Sequence, residues 1–166
     1  MLIPSNFVRN HINLSWRDAL WGYEKQMIGW SAIVDLAMDC LVCGSDSRLV
    51  IELAGLQKTE AYQVGELLKK LAATEDFTSQ DPAKDKWLYL NLLWLFENKA
   101  NFSDPLSEVE KIYADFDYPS NIEGFVRYMP VVDGYNPKKH SKNENEERLF
   151  KQWEKYLNNT KNQFGK

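Results

Sequence analysis

Two thiols stand three residues apart at Cys40-Leu41-Val42-Cys43, the spacing of a dithiol redox site or of half a zinc site. A redox pair needs a helix N-terminus to lower the thiol pKa. This pair instead falls at the end of an apolar-periodic stretch that stops at Gly44, where the helix dipole acts in the wrong sense. A zinc site needs two further ligands, and the only histidines, His11 and His140, are far away in the chain. The cysteines therefore read as ordinary packing residues, and no metal site is assigned. Neither histidine sits in a pattern that would make it part of a Ser-His-Asp or Cys-His site. His140, in Lys138-Lys139-His140-Ser141-Lys142, reads as a solvated loop residue. There is no glycine-rich phosphate loop and no His-Glu-x-x-His pair. No catalytic residue and no cofactor site is assigned.

The carboxylates between residues 104 and 117 form the one patterned charge feature. At about 100° per residue, Asp104, Glu108, Lys111 and Asp115 share one face of a helix, opposite Leu106, Val109, Ile112 and Phe116, and Asp117 follows. Asp104 also reads as a cap, and Glu108 lies near the positive helix end, so a solvated face accounts for much of the pattern. The functional reading is a docking surface for a basic protein partner, carried by Asp104, Glu108, Asp115 and Asp117. Acid and base catalysis by paired carboxylates would need a pocket, and nothing in the sequence indicates one. If the stripe is not the docking surface, the loop from Pro130 to Asn145 is the next place to look. The C-terminal stretch is rich in lysine and contains Trp153, Tyr156 and Phe164, a composition seen in nucleic-acid binders. Trp153 and Tyr156 lie on an apolar helical stripe, however, and glutamates dilute the charge. Nucleic-acid binding is not favoured.

The elements that must position these residues are helices. Ser15 and Asp18 have the spacing of a capping box, followed by Trp16, Leu20, Tyr23 and Met27 at helical intervals, with Gly29 as the stop. Ser31 is the expected cap of a second helix that ends at Gly44, and the short connection predicts an antiparallel hairpin. Arg48 to Leu56 could be a strand, but nothing nearby could pair with it, so a short helix is expected. Thr59 opens the next, with Val64, Leu67, Leu68 and Leu71 inward; Thr74 to Gln80 is a polar loop. Asp81-Pro82 is a strong start for a helix to about Asn98, apolar nearly all round in its second half and hence the buried central helix. Asp104-Pro105 repeats the signal. Ser120-Asn121-Ile122-Glu123 predicts a capping box and a short helix ending before Pro130. Residues 130–145 read as a long polar loop. The last helix, about Glu144 to Asn162, buries Leu149, Phe150, Trp153, Tyr156 and Leu157. The expected fold is all-α: one domain over residues 1–166, built of stacked antiparallel helical hairpins around a buried central helix.

Composition agrees with a globular domain. The chain has 166 residues, 44% hydrophobic and 27% charged. A chain of this length can bury about 70% of the surface it exposes when unfolded. Six Trp, eight Tyr and eight Phe supply either a well-filled core or a recognition surface. The longest apolar run, Trp87 to Phe96, falls short of the ~20 residues that span a bilayer. No basic stretch followed by an apolar run opens the sequence, which argues for a cytoplasmic protein without a membrane partner.

Leu14-Ser15-Trp16-Arg17-Asp18-Ala19-Leu20-Trp21-Gly22-Tyr23, continuing to Ile28-Gly29-Trp30, resembles a bacterial domain-of-unknown-function family of all-helical proteins with an N-terminal Ser/Thr-Trp-x-Asp…Trp-Gly signature. That family is met beside polymorphic and contact-dependent toxin genes. The resemblance therefore implies an immunity protein that binds and neutralises a toxin, and it brings no catalytic residues with it. The alternatives are a helical adaptor or scaffold with another protein partner, or an enzyme whose site has no recognisable motif.

If the cysteines do no chemistry, replacing Cys40 and Cys43 together by Ala leaves partner binding intact and costs only packing stability. Stoichiometric zinc in the purified protein, measured by elemental analysis, would contradict this.

Overall fold

The computed structural model describes residues 1–76 and 82–166. Every regular element among them is helical; the one strand-like feature is an isolated antiparallel bridge between Ile12 and Gly165. None of the described helices is long and apolar enough to cross a membrane. The chain divides into two compact units, residues 1–90 with 164–166, and residues 91–163.

The first unit contains α1 (Ser5–His11), α2 (Trp16–Glu24), α3 (Trp30–Val42), α4 (Arg48–Ala54), a 3-10 turn (Lys58–Gln63), α5 (Val64–Ala73) and the first half of α6 (Ala83–Glu97). The strand-or-helix ambiguity at Arg48 resolves as a helix. The apolar residues Val50 and Leu53 then meet the core, as do Val64, Leu67, Leu68 and Leu71 of α5. Helix α1 has no counterpart in the sequence reading. It is only seven residues long, starts after Pro4 without a side-chain cap, and buries little beyond Ser5 and Val8. The expected hairpin of α2 with α3 is replaced by a different pairing: α2 packs on α5, and α3 on α4. The turn after α2 also differs from the one expected. Helix α2 stops at Glu24 rather than Gly29, Gln26 adopts a left-handed conformation at φ 57°, and Met27 N–H returns to Gly22 O at 2.8 Å. Gly29, not Ser31, then caps α3.

The knot of this unit is tied by the residues of the N-terminal signature. Ser15 Oγ accepts from Asp18 N–H at 3.1 Å, and Asp18 Oδ2 accepts from Ser15 N–H at 2.9 Å, the capping box read from the sequence. Asp18 is 1% exposed, and the same oxygen takes an ion pair from Lys86 Nζ. Next to Lys86, Trp87 Nε1 donates to Asp18 O at 2.7 Å. One turn on, Gly22 lies against the Trp87 ring, so near that a Cβ built there would fall 2.1 Å from ring carbons. The N-terminus of α2 is closed by Glu75, whose carboxylate accepts from Trp16 N–H at 2.9 Å and Arg17 N–H at 2.8 Å.

Of the expected start at Asp81-Pro82, Asp81 lies outside the described residues, as does most of the expected loop before it. The helix that follows is the buried one expected: Trp87, Leu88, Tyr89, Leu90, Leu92 and Leu95 are all 1% exposed or less, and Trp94 is half-buried.

The second unit contains the rest of α6, a short 3-10 turn (Lys99–Asn101), α7 (Pro105–Asp115), a 3-10 turn (Ser120–Phe125), an irregular stretch, a 3-10 turn (Pro137–Lys139) and α8 (Lys142–Phe164). Its core is aromatic. Trp153 is fully buried, with Phe125 stacked on it at 6.0 Å and Phe96 set edge-on at 5.0 Å. The capping box expected at Ser120 and Glu123 does not form, because Glu123 accepts a hydrogen bond from Tyr113 Oη at 2.9 Å instead. The loop expected over residues 130–145 ends earlier than Asn145: α8 begins at Lys142, where Ser141 and Glu144 exchange hydrogen bonds of 3.2 Å across its first turn.

Because a Cβ at position 22 would overlap the Trp87 ring, Gly22→Ala should destabilise the protein by about 1–3 kcal/mol, the usual cost of overpacking. Gly124 has nothing within 4 Å of its would-be Cβ, so Gly124→Ala should stay within about 0.5 kcal/mol of wild type. Urea denaturation of the two variants checks both; equal stabilities would contradict the close packing at Gly22.

Candidate surface for partner binding

Helix α7 is built as its sequence dictates. Pro105 occupies the first turn and Asp104 caps it, accepting from Ser107 N–H at 3.2 Å. Leu106, Val109, Ile112 and Phe116 are buried, which sends Asp104, Glu108 and Asp115 outward. The four carboxylates singled out from the sequence are not equivalent there. Asp104 forms an ion pair with Arg127 at 2.9 Å. Arg127 also donates from Nε to Glu110 at 2.6 Å, so one guanidinium bridges two carboxylates of this helix. Glu108 pairs with Lys111 at 2.7 Å. Asp115 and Asp117 are exposed at the far end.

That far end is unusual. Phe116 caps the helix, and Asp117 and Tyr118 then follow in consecutive left-handed conformations, at φ 60° and 58°. Left-handed backbone is tolerated by Asp but strained for a bulky side chain. Tyr118 N–H closes the turn on Tyr113 O at 2.8 Å, and its ring stands edge-on to Tyr113 at 5.2 Å while remaining 65% exposed. Tyr113 is anchored in turn through Glu123; burial and that hydrogen bond hold its phenol above the ordinary tyrosine range.

A second feature of the same unit lies at the loop from Pro130 to Asn145, the next place the sequence pointed to for a docking surface. The irregular stretch after Val126, the turn at Pro137 and the first turns of α8 enclose a groove of about 710 Å³, lined among others by Tyr128, Met129, Val131, Tyr135, Arg148 and Leu149. Arg148 lies over the Tyr135 ring at 4.3 Å and donates to Asp133 at 2.5 Å. Tyr135 Oη donates to Asn145 Oδ1 at 2.6 Å, and its ring stacks on His140 at 4.6 Å. His140 is thus exposed, as expected of a loop residue, but it also contacts Glu144 at 3.1 Å. The sequence signals for this region, Pro130, Gly134 and Pro137, mark a loop and say nothing of the cavity beneath it. Arg127 and Arg148 are missed for the same reason: each acts through partners distant in sequence.

The remaining candidates have local roles. His11 Nδ1 lies 2.9 Å from Phe7 O, one helical turn back, with the two rings in contact. Cys40 is half-buried and Cys43 exposed, so the reading of both as core residues fails at Cys43, which caps the end of α3 and faces solvent. Burial, then Cys43 and Asp39, push the Cys40 thiol up, away from the reactive thiolate. Among the described residues no group of three or more His, Cys, Asp or Glu side chains could hold a metal ion. Trp153, the aromatic that might have stacked on a base, is buried.

Burial works against the charged form of Asp104, but hydrogen bonds from Arg127 and from Ser107 N–H outweigh it and hold its carboxyl below the usual range. The hydrogen bond from Arg148 does the same for Asp133. A carboxyl whose folded pKa is depressed stabilises the fold fully above its unfolded value, near 4, and loses that contribution as pH falls through the folded value. The Asp104–Arg127 and Asp133–Arg148 pairs should therefore hold at neutral pH and loosen only below about pH 4. Carboxyl carbon NMR titration should place both midpoints below those of exposed aspartates. Midpoints at or above the ordinary value would refute the pairing.

No curated protein and no solved structure matches the chain. A family described as an uncharacterized protein conserved in bacteria (DUF2247) matches residues 5–161, which take in most of both units. With nearly its whole length inside that match, the chain belongs to the DUF2247 family of bacterial proteins.

Proposed function

We propose that this protein acts by binding another protein, and that its partner presents a basic surface to the C-terminal end of α7, as a toxin domain would to an immunity protein. The observation that carries the reading is the Asp115–Tyr118 corner. Carboxylates are disfavoured at the C-terminal end of a helix, where the dipole is negative, yet Asp115 and Asp117 sit there. Two successive left-handed residues cost strain, and a tyrosine held exposed in that conformation contributes little to the fold. Local choices that oppose stability are expected where a surface serves binding. An exposed, rigidly held tyrosine flanked by charge has the composition of a binding hot spot. The carboxylates at the other end of the stripe support the corner differently. Asp104 and Glu108 are paired with Arg127 and Lys111, which lessens their part in the field of the stripe. The toxin assignment within this reading rests on the resemblance of the N-terminal signature.

The test is protection and affinity together. The chain is co-expressed with any toxin domain found encoded beside it, and binding is measured by calorimetry. Asp115→Lys combined with Asp117→Asn should weaken binding tenfold or more, roughly the effect of losing close charge pairs, with circular dichroism unchanged. Asn is chosen at 117 because it tolerates the left-handed backbone. Tyr118→Gly should keep stability within about 1 kcal/mol of wild type, because it relieves strain, while costing ~2 kcal/mol or more of affinity. Full protection by all these variants would remove the corner from the interface; absence of any toxic neighbour that binds would remove the immunity role.

A further inference from the structure

We propose that residues 128–140 form a strap that opens and shuts over the first turns of α8 as one unit, with Arg148 as its latch, while the helices around it stay folded. This goes beyond the docking surface at the α7 corner and does not depend on it.

The strap lacks the bonds that hold the rest of the second unit. From Pro130 to Tyr135 no backbone N–H or C=O pairs with another backbone group among the described residues. Tyr135 N–H turns instead to the side chain of Asp133, two residues back. Of residues 128–140 only Met129 and Tyr135 are half-buried, and the others are exposed. A segment with so little burial and no backbone pairing opens for much less free energy than the whole domain.

Side chains hold it down, and they converge on two positions of α8 three residues apart. Asn145 accepts from Tyr135 Oη and donates from Nδ2 to Pro137 O at 3.1 Å. Arg148 covers the Tyr135 ring and binds the Asp133 carboxylate, so one guanidinium grips the strap twice. Losing that grip frees a charged bond and a ring contact together, which makes opening a single event.

Both ends of the strap are anchored. Arg127 is fixed by Asp104 and Glu110, and Ser141 is bound to Glu144 in the first turn of α8. Just inside the first anchor, Tyr128 is left-handed at φ 66° and 93% exposed. That conformation is strained for a bulky side chain, and no burial of the ring offsets it. Strain at Tyr128 therefore favours the open strap, and the Arg148 latch favours the shut one. Opposed terms of this kind allow an element to populate two positions.

The groove follows the strap. Met129, Val131 and Tyr135 line it from the strap, and Arg148, Leu149 and Gln152 line it from α8. It exists as an enclosed space only while the strap is shut.

The test is a distance measurement on the full chain. Nitroxide labels are placed on Val132→Cys and Lys155→Cys, both exposed, with Cys40 and Cys43 changed to Ala, and read by double electron–electron resonance. Two distances should be seen. Arg148→Ala should raise the ratio of open to shut about tenfold, through the lost ion pair and ring contact. Asp133→Asn removes the ion pair alone and should raise it about threefold. Tyr128→Asn, which tolerates the left-handed backbone, should lower it about threefold. Helical circular dichroism should be unchanged throughout. A single distance in every variant overturns the strap, as does an open fraction that neither Arg148→Ala nor Asp133→Asn raises. A longer distance that appears only as helical signal is lost also overturns it, since opening would then be unfolding. If Arg148→Ala fails to fold, Asp133→Asn, at an exposed position, decides alone.

Discussion

A carboxylate removed from water must find its charge partner or cost several kcal/mol, and Asp18 lives under that constraint. Its Oδ2 and its backbone carbonyl answer to three groups on two helices: the capping box of α2, and the ammonium of Lys86 and the indole of Trp87 on α6. The ring of Trp87 then requires the absence of a side chain at position 22. One buried ion pair thus fixes the start of α2, its distance from α6 and the identity of the residue a turn later. Asp18, Gly22, Lys86 and Trp87 thus hold a helix junction together.

The second unit depends instead on stacked rings. Trp153 between Phe125, Phe150 and Phe96 gathers α6, the 3-10 turn at Ser120 and α8. A core of this kind leaves the polar groups of α7 and α8 free to be arranged around the surface. Arg127 and Arg148 illustrate the result: each collects carboxylates from other segments and thereby fixes an irregular backbone that no regular hydrogen-bond ladder supports. Strain at Asp117, Tyr118 and Tyr128 is tolerated because it is confined to surface positions beside that core.

What could be read in the sequence was what depends on neighbours in the sequence. The capping box at Ser15, the proline start at Pro105, the glycine after α3 and the apolar stripe of α8 all involve groups within a few residues of each other. The all-α class followed from these. Partnerships were not legible, because helical periodicity states which face is apolar without stating what covers it. The hairpin of α2 with α3 failed on that point, since α2 packs on α5 and α3 on α4. Glu123 was drawn away from its expected cap by Tyr113, ten residues earlier. At the candidate surface, the outward direction of Asp104, Glu108 and Asp115 was legible. The neutralising role of Arg127 was not, since it depends on how the chain returns after the 3-10 turn at Ser120.

The bridge between Ile12 and Gly165, reinforced by Lys166 N–H on His11 O at 3.0 Å, has a kinetic side. It counts the last three residues with the first unit, so the second unit is, in connectivity, an insertion that the chain enters at residue 91 and leaves at residue 163. Closing a loop of nearly the full chain length costs the most entropy of any contact in the molecule, and such a contact is rewarded only once the intervening segments have become compact. The bridge is therefore expected to form late in folding. Until then His11 and Ile12 lack that partner, although α1 itself can already dock on α3 through Ser5 with Asp35 and Arg9 with Asp39.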